Sequence, residues 1–347
     1  MLLNLDDSLL ETENILQDRV IVCVTNILIG FYEANILVQA SDEIYEHYKA
    51  LIKDDRALRA LFYLAANNSY AYEIEPFNIV NKDLKGVDVS HKEISIFFFE
   101  KTIAIQKAII MGENENDASY YTYIAQYFYP NIRLAYEKYS GGGSTTSDVL
   151  AGIQKKNERF CLVIVDSDMK YLNAPLGGTA KAIEKVWNKR LTQIEVYLLT
   201  VHEIENLLPL PFIKEKVRIN KNVNLFFSRL MKCKDFRDIW RYYDIKNGIR
   251  VSDIESLEDY YHFAEKIYLQ VYETKQSFKK YLSQLKKCNR KEVIPAIRSD
   301  MLDRFVSLNE NQKQKYPIIL YDEECKQIAK KVVEFACCRS NDDPLNI

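Results

Sequence analysis

Residues 159–168 constrain the fold of this chain more than any other stretch. Within them, Cys161–Val165 is a short apolar run rich in β-branched residues, a pattern typical of a strand that is buried on both faces of a parallel sheet. Asp166 and Asp168 follow at the carboxyl end of that predicted strand, where ligands bind in open α/β sheets. In an extended chain both carboxylates point to the same side. The alternative is a strand-to-loop junction at which aspartates only begin a turn.

The composition is that of a globular protein with a substantial core, since 48% of the 347 residues are hydrophobic and 28% are charged. No apolar run approaches the roughly 18 residues that a membrane span needs, and the N-terminus lacks the features of a signal peptide. We therefore expect a cytoplasmic protein that does not bind membranes. The seven cysteines show neither a disulfide framework nor paired CxxC spacing, so structural zinc is not expected.

The net charge of −2 conceals a strong asymmetry along the chain. Residues 1–100 carry 8 Lys and Arg against 17 Asp and Glu, whereas residues 214–250 carry 11 against 4. Residues 275–291 add seven basic residues and no acidic one. Such segregation predicts a surface on the C-terminal side that faces a polyanion. The acidic N-terminal part is expected to shield that surface, to dock a partner or to assemble a homo-oligomer.

The apolar pattern predicts an α/β fold in three domains. Residues 1–100 are expected to form an acidic, mainly helical unit, with one helix at 41–67 that Ser41 caps. Strands and helices alternate over residues 101–213, which is typical of a parallel α/β sheet with right-handed crossovers. Residues 214–347 are expected to be basic and helical. The strands are predicted at 94–99, 103–111, 132–135, 161–165 and 194–200, and the clearest C-terminal helices at 222–243, 257–287 and 323–338.

Basic and aromatic residues alternate after residue 222, which predicts contacts with nucleic acid. Phosphates would bind the basic side chains and base faces would stack on the rings. The alternative is that the aromatic residues form a core and the charges are solvated. The predicted contact residues are Arg229, Lys232, Lys234, Arg237 and Arg241, and the aromatic residues are Phe226, Phe227, Trp240, Tyr242 and Tyr243.

Acidic residues follow three of the predicted strands at equivalent positions. Because neighbouring strands lie only about 4.8 Å apart, carboxylates at the same end of adjacent parallel strands converge. Such a group of hard oxygen ligands suits Mg²⁺ or Mn²⁺. The pairs are Glu113 and Asp117, Asp166 and Asp168, and Glu203 and Glu205.

These segments resemble the motifs of the Toprim domain. The sequence ENEND at 113–117 resembles the Toprim E-G-x-x-D, and DSD at 166–168 resembles its D-x-D. HEIENL at 202–207 is similar to the segment that closes the Toprim core in overcoming-lysogenization-defect (OLD) nucleases and related standalone defence effectors. The resemblance covers about residues 103–213. Asn114 stands where the family has glycine, and asparagine tolerates the left-handed backbone that such a turn often uses.

The resemblance implies a Toprim-like parallel-sheet core with helices on both faces, and a nuclease that hydrolyses phosphodiester bonds of DNA or RNA, including tRNA. Glu113, Asp166 and Asp168 would hold one Mg²⁺ or Mn²⁺, and Asp117 and Glu205 would help to hold a second. One ion would activate water and the other would stabilise the leaving oxygen. No motif fixes the basic residue that such nucleases use, and Lys214 and Lys216 are the candidates because they follow the last strand.

The biology implied by the resemblance is that of a toxic effector in anti-phage defence. Because the chain has no ATP-binding loop, a sensor or ATPase that controls it would be a separate protein. The glycines at 141–143 match neither a Walker loop nor GxGxxG, and we expect either a turn or a loop that approaches phosphate. The alternative function is that of a non-catalytic nucleic-acid-binding or scaffold protein with a degenerate Toprim site.

Overall fold

The computed structural model describes residues 1–11, 16–66, 74–82, 92–218, 220–255, 257–272, 274, 276–288 and 290–340. The chain divides into two compact units. The first comprises Met1–Ile164, Ile183–Tyr197 and the chain from Lys326 onwards, and the second comprises Val165–Ala182 and Leu198–Cys325. These units cut across the three predicted domains, whose boundaries at 100 and 213 stay predictions. Among the described residues, no helix is both long enough and apolar enough to cross a bilayer.

The N-terminal part of the first unit is built around a parallel sheet. Its strands are β1 (Leu2–Leu5), β2 (Leu37–Ala40), β3 (Phe77–Val80) and β4 (Glu93–Ser95), in the order β2-β1-β3-β4. Its helices are α1 (Gln17–Tyr32), α2 (Asp42–Lys49) and α3 (Asp55–Ala66). The prediction of a mainly helical unit missed β1, β2 and β3. Strands of four residues are too short to show a periodicity that separates a strand from a helix.

Hydroxyl caps decide where two elements of this part begin. Ser41 accepts a hydrogen bond from the Ile44 N–H at 3.3 Å and starts α2, as predicted. The single helix expected at 41–67 is divided into α2 and α3. Ser95 accepts one from the Phe97 N–H at 3.4 Å and turns the chain into a 3-10 helix, Ile96–Glu100. The strand predicted at 94–99 is therefore confined to β4.

The second sheet of the first unit carries the alternation of strands and helices predicted from the sequence, in the order β7-β5-β8-β9. In this sheet Met111 lies opposite Val163, and β5 is parallel to both β7 and β8. All residues of β8 are buried, which confirms a strand covered on both faces. The elements are β5 (Ala108–Gly112), α4 (Glu115–Phe128), β6 (Arg133–Leu134), β7 (Tyr136–Ser140), α5 (Thr146–Lys156), β8 (Cys161–Val165), α6 (Gly178–Val186) and β9 (Ile194–Leu198).

The structure therefore has an α/β fold in which parallel sheets are flanked by helices, as predicted. Two strand predictions for the second sheet were inaccurate. The strand expected at 103–111 begins only at Ala108, because Thr102–Ile105 forms a 3-10 helix. The strand expected at 132–135 is the two-residue β6, whereas the longer β7 follows it. β7 is an edge strand with mostly exposed polar residues, so it lacks the apolar pattern that marks a buried strand.

An aromatic cluster forms part of the core of the first unit. Phe160 directly precedes β8, and its ring centroid lies 5.1 Å from that of Phe77 on β3. Phe77 also lies 5.3 Å from Phe335, and Phe98 lies 5.6 Å from Phe160. All three pairs meet edge to face, a geometry that aromatic rings prefer.

The second unit is mainly helical. Its elements are α7 (Leu210–Val217), α8 (Lys221–Leu230), α9 (Phe236–Tyr242), β10 (Ile249–Arg250), α10 (Val251–Glu255), α11 (Glu258–Tyr272), α12 (Phe278–Lys287), β11 (Glu292–Ile294), α13 (Met301–Val306) and α14 (Glu310–Lys313), and the chain continues with α15 (Asp322–Ala336) and β12 (Cys337–Cys338). The helices predicted at 222–243 and 257–287 are each divided into two. In the second case Ser277 accepts from the Lys280 N–H and caps a new helix.

Candidate functional site

The segments that follow β8 and β9 are hydrogen-bonded to each other. The Leu199 N–H donates to the Val165 carbonyl at 3.0 Å, and the Asp168 N–H donates to the His202 carbonyl at 2.8 Å. This backbone pairing holds the predicted D-x-D motif beside the acidic segment that begins at His202.

Asp166, Glu203 and Glu205 are buried in this part of the second unit, and we call them the carboxylate cluster. Their exposed fractions are 8%, 5% and 2%, which is unusual for carboxylates. The Ile204 N–H donates to Asp166 Oδ1 at 2.9 Å. This bond anchors Asp166 to the short 3-10 helix Ile204–Leu207, which carries Glu205. The structure thus brings together two of the predicted metal ligands, Asp166 and Glu205.

Lys246 supplies positive charge to the carboxylate cluster. Its Nζ lies 2.9 Å from Glu205 Oε2 and 3.2 Å from Glu203 Oε2. Burial lowers the pKa of Lys246, but the charges of Glu203, Glu205 and Asp166 outweigh burial and hold this pKa well above its ordinary value. Its ammonium group therefore stays protonated at neutral pH and is suited to binding an anion rather than to acting as a base.

Glu203 shows that this compensation is incomplete. Burial and the charge of Glu205 raise the pKa of Glu203 to about 7, although Lys246 and His202 act in the opposite direction. Its Oε1 also accepts a hydrogen bond from the Ile245 N–H at 2.8 Å. Repulsion between the carboxylates thus persists beside one ammonium group, and a divalent cation would relieve it.

His202 and Asp244 add a nitrogen and an oxygen donor beside Glu203. The Nδ1 of His202 lies 2.9 Å from the Met169 carbonyl, so this nitrogen is assigned as the N–H donor. Nε2 lies 3.8 Å from Asp244 Oδ2. One ligand atom from each of His202, Glu203 and Asp244 lies within 4.8 Å of the others. A set of this kind suits a first-row transition metal such as Mn²⁺.

Asn206 fixes the 3-10 helix to the end of α9. This side chain is fully buried, and its Nδ2 donates to the carbonyls of Trp240 and Tyr243 at 2.6 and 2.9 Å. Trp240 Nε1 donates in return to the Asn206 carbonyl at 2.9 Å. Asn206 Oδ1 accepts from the Glu203 N–H at 2.9 Å. The residues that follow Tyr243 are therefore held at a fixed place beside the carboxylate cluster.

Asp168 does not continue the extended chain. Its φ is +52°, in the left-handed region, and Ser167 beside it is fully buried and donates its hydroxyl to the Val201 carbonyl. Gly177 packs so closely that a Cβ there would lie 2.2 Å from Asp168 Oδ2. The expectation of an extended chain from Asp166 to Asp168 is therefore wrong, because the backbone turns at Asp168. A metal-binding role of Asp168 stays a prediction.

Glu113 and Asp117 lie in the first unit, after β5. Asn114 accepts from the backbone N–H groups of Asn116 and Asp117 at 2.8 and 3.1 Å, and Asp117 Oδ2 accepts from the Asn114 N–H at 3.0 Å. These bonds form the capping box of α4. Asn114 has an extended backbone with φ −139°, so the expectation of a left-handed turn is wrong. The metal-binding roles of Glu113 and Asp117 stay predictions.

The three glycines at 141–143 form a turn that is tied to the end of β5. The Gly141 N–H donates to the Gly112 carbonyl at 2.8 Å, and those of Gly142 and Gly143 donate to the Glu113 carbonyl at 2.9 and 3.2 Å. Gly142 and Gly143 have φ of +76° and +61°, which favours glycine. Of the two predicted roles the structure supports the turn. The three glycine N–H groups that a phosphate would need already donate hydrogen bonds to backbone carbonyls.

The residues predicted to contact nucleic acid divide into two groups. The basic side chains lie at the surface. Arg241 is half-buried, and the exposed ones are Arg229, Lys232, Lys234 and Arg237. The aromatic residues form a core instead, and they are Phe226, Phe227, Trp240, Tyr242 and Tyr243. The base-stacking role predicted for these rings is therefore wrong, since their faces pack against each other, as for Trp240 and Tyr243 at 6.0 Å.

Lys214 and Lys216, the predicted basic residues of the site, lie on α7. Lys214 is exposed, and Lys216 pairs with Glu215 at 3.0 Å. Within the part of the chain that the structure describes, Lys246 is the lysine that contacts the carboxylate cluster. Sequence reasoning missed Lys246 and Asp244 because they lie about forty residues beyond the motif, in a stretch whose pattern indicated only basic helices.

We expect Asn206→Ala to lower the free energy of unfolding by about 2–4 kcal/mol, because it leaves buried backbone groups without hydrogen bonds. Asn224→Ala on α8 is the matched control and should change stability by less than about 0.5 kcal/mol. Urea unfolding followed by circular dichroism measures both variants. Equal stabilities would contradict the anchoring role of Asn206.

Comparison of the chain with protein-family models, with curated proteins and with solved structures found no match. The resemblance to the Toprim domain therefore rests on the three motifs at the ends of the strands.

Proposed function

We propose that the protein is a metal-dependent phosphodiesterase that cleaves nucleic acid, with the carboxylate cluster at its active centre. The observation that carries this proposal is the burial of Asp166, Glu203 and Glu205 around the ammonium group of Lys246. Buried carboxylates are costly unless cations compensate them. A fold that retains three of them beside one lysine is typical of a site completed by a metal ion.

The donor set fits the metals that the Toprim resemblance implies. Carboxylate oxygens are the hard ligands that Mg²⁺ and Mn²⁺ prefer, and the Ile204 N–H already orients one of them by binding Asp166. Asp166 and Glu205 would hold an ion. The resemblance also gives metal-binding roles to Asp168, Glu113 and Asp117. When bound, the metal would activate water and stabilise the leaving oxygen.

Lys246 would act on the substrate as a fixed positive charge. Its protonated Nζ would bind a phosphate oxygen and stabilise the negative charge that grows on that oxygen during hydrolysis. Glu203 and Glu205 hold the ammonium group in place, and Asn206 holds the chain that carries it. Lys246 thus takes the role for which the sequence offered Lys214.

The resemblance extends the proposal to biology. A nuclease of this type would act on DNA or RNA, including tRNA, as a toxic effector in anti-phage defence. A separate sensor or ATPase protein would control it, and the acidic N-terminal part would dock that partner or a second copy of the chain.

The alternative is a nucleic-acid-binding or scaffold protein with a degenerate site. Its support is that Lys246 already pairs with both glutamates and that Asn114 replaces the glycine of the motif. Catalysis and its metal dependence separate the two functions.

Cleavage of plasmid DNA, single-stranded DNA and tRNA with Mg²⁺ or Mn²⁺ tests the proposal. We expect Asp166→Asn and Glu205→Gln to lower the rate at least about 100-fold, the scale of losing one electrostatic stabiliser. Glu184→Gln, at an exposed position on α6, should keep the wild-type rate. Glu113→Gln tests the ligand that the resemblance adds.

Full activity of both cluster variants would show that the site is assigned wrongly. A wild-type protein that cleaves none of these substrates with either metal, also in the presence of its partner, would favour the scaffold function.

The substitution Lys246→Met removes the positive charge that offsets the negative charges of the carboxylate cluster. In EDTA we expect its Tm to fall by roughly 5 °C or more, because carboxylates stay buried without their cation. Mn²⁺ should then raise the Tm of the variant more than that of the wild type, since the ion replaces the lost charge.

Lys266→Met is the control, because Lys266 forms a partly exposed pair with Asp235 at 2.9 Å, of a kind that contributes little. Equal effects of Mn²⁺ on the wild type, Lys246→Met and Lys266→Met would contradict a metal site at the carboxylate cluster.

A further inference from the structure

We propose that a basic pocket in the second unit binds the phosphates of a nucleic-acid strand. The pocket has a volume of about 510 Å³, within the range of ligand-binding clefts. Its charged lining residues are Arg250, Glu255, Lys286, Arg290 and Lys291. The inference rests on the proposed function, for which it names a substrate-binding surface remote in sequence from the acidic motifs.

The charge of the pocket is strongly positive. Four basic residues and one acidic residue give a formal charge of +3. The acidic residue, Glu255, pairs with Lys286. Arg290 and Lys291 are both exposed, and neither forms an ion pair with any residue that the structure describes. These two side chains are therefore available to an anion from solution.

The backbone holds the basic residues in fixed positions. β10 and β11 pair in antiparallel fashion with Arg250 opposite Glu292, and the Val251 N–H donates to the Lys291 carbonyl at 2.8 Å. The Arg290 N–H donates to the Leu285 carbonyl at 3.0 Å, which closes the end of α12. An anion would thus meet charges whose Cα positions are already set, which lowers the entropic cost of binding.

Helix electrostatics explains only one of the four basic residues. Lys286 lies in the last turn of α12, where a lysine stabilises the negative end of the helix dipole. Arg250 lies on β10, and Arg290 and Lys291 lie between α12 and β11, so the dipole does not account for them. Arginine guanidinium groups bind phosphate oxygens in a bidentate manner, which makes phosphate the anion that fits best.

A nucleic-acid strand suits the pocket better than a membrane surface does. Segments that bind membranes combine basic residues with exposed large apolar side chains. The pocket has Val251 as its apolar lining residue, and that residue is half-buried. Lys279, Lys280 and Lys287 are also exposed on α12, the helix that carries Lys286, and add positive charge that attracts a polyanionic strand.

Fluorescence anisotropy with a labelled single strand of about 20 nucleotides tests the inference, in EDTA so that cleavage does not contribute. We expect Arg290→Glu/Lys291→Glu to weaken binding at least about 10-fold and to reduce the slope of log affinity against log salt by about 1–2. Arg290→Gln/Lys291→Gln should weaken it less. The control Lys221→Glu/Lys315→Glu makes the same charge change at exposed positions of the second unit and should alter affinity less than about 3-fold.

Equal losses in the pocket variant and the control would overturn the inference, because net charge alone would then explain binding. It would also be overturned if orthophosphate or anionic lipid vesicles bound through the pocket while the strand did not. Binding through the pocket without cleavage by the wild type would leave the inference standing and refute the proposed function. Cleavage with the same KM in the wild type and the pocket variant would support the proposed function and refute the inference.

Discussion

The hydrogen bonds of the buried Asn206 are the constraint on which the candidate site depends. They join the 3-10 helix that carries Glu205 to the end of α9. The chain continues from Tyr243 to Lys246 within three residues, so this anchor also sets where the ammonium group lies. Asn206 is buried, and it determines the geometry of the charges to which the proposed function assigns contacts with the metal and the substrate.

The burial of these charges lowers the free energy of unfolding. Glu203 and Glu205 are almost completely removed from water, and Lys246 offsets their repulsion only in part, as the raised pKa of Glu203 shows. Carboxylates kept in such surroundings reduce stability unless a cation joins them. A metal ion that binds the site when the protein acts would offset this loss of stability.

Some of this organisation could be predicted from the sequence. The apolar run of β8 and its acidic end were recognisable because a strand buried on both faces leaves a continuous apolar pattern. The strands β1 to β3 were missed because four-residue runs lack a period, and β7 because an edge strand has polar residues. Lys246 was missed because only tertiary packing on Asn206 brings it to the glutamates.

The turn at Asp168 illustrates a further limit. Local sequence predicted an extended D-x-D segment, but backbone bonds to the residues after β9 and the close approach of Gly177 turn the chain instead. Likewise, Asn114 is explained by its side chain, which caps α4, rather than by a left-handed backbone. In both places long-range contacts or capping, which a motif does not encode, decide the conformation.

The most direct test of the central claim is a crystal structure of the protein soaked in Mn²⁺, with the anomalous signal recorded at the manganese edge. We predict an anomalous peak within bonding distance of Asp166 and Glu205. A Mn²⁺-soaked crystal with no peak at the carboxylate cluster would contradict the account.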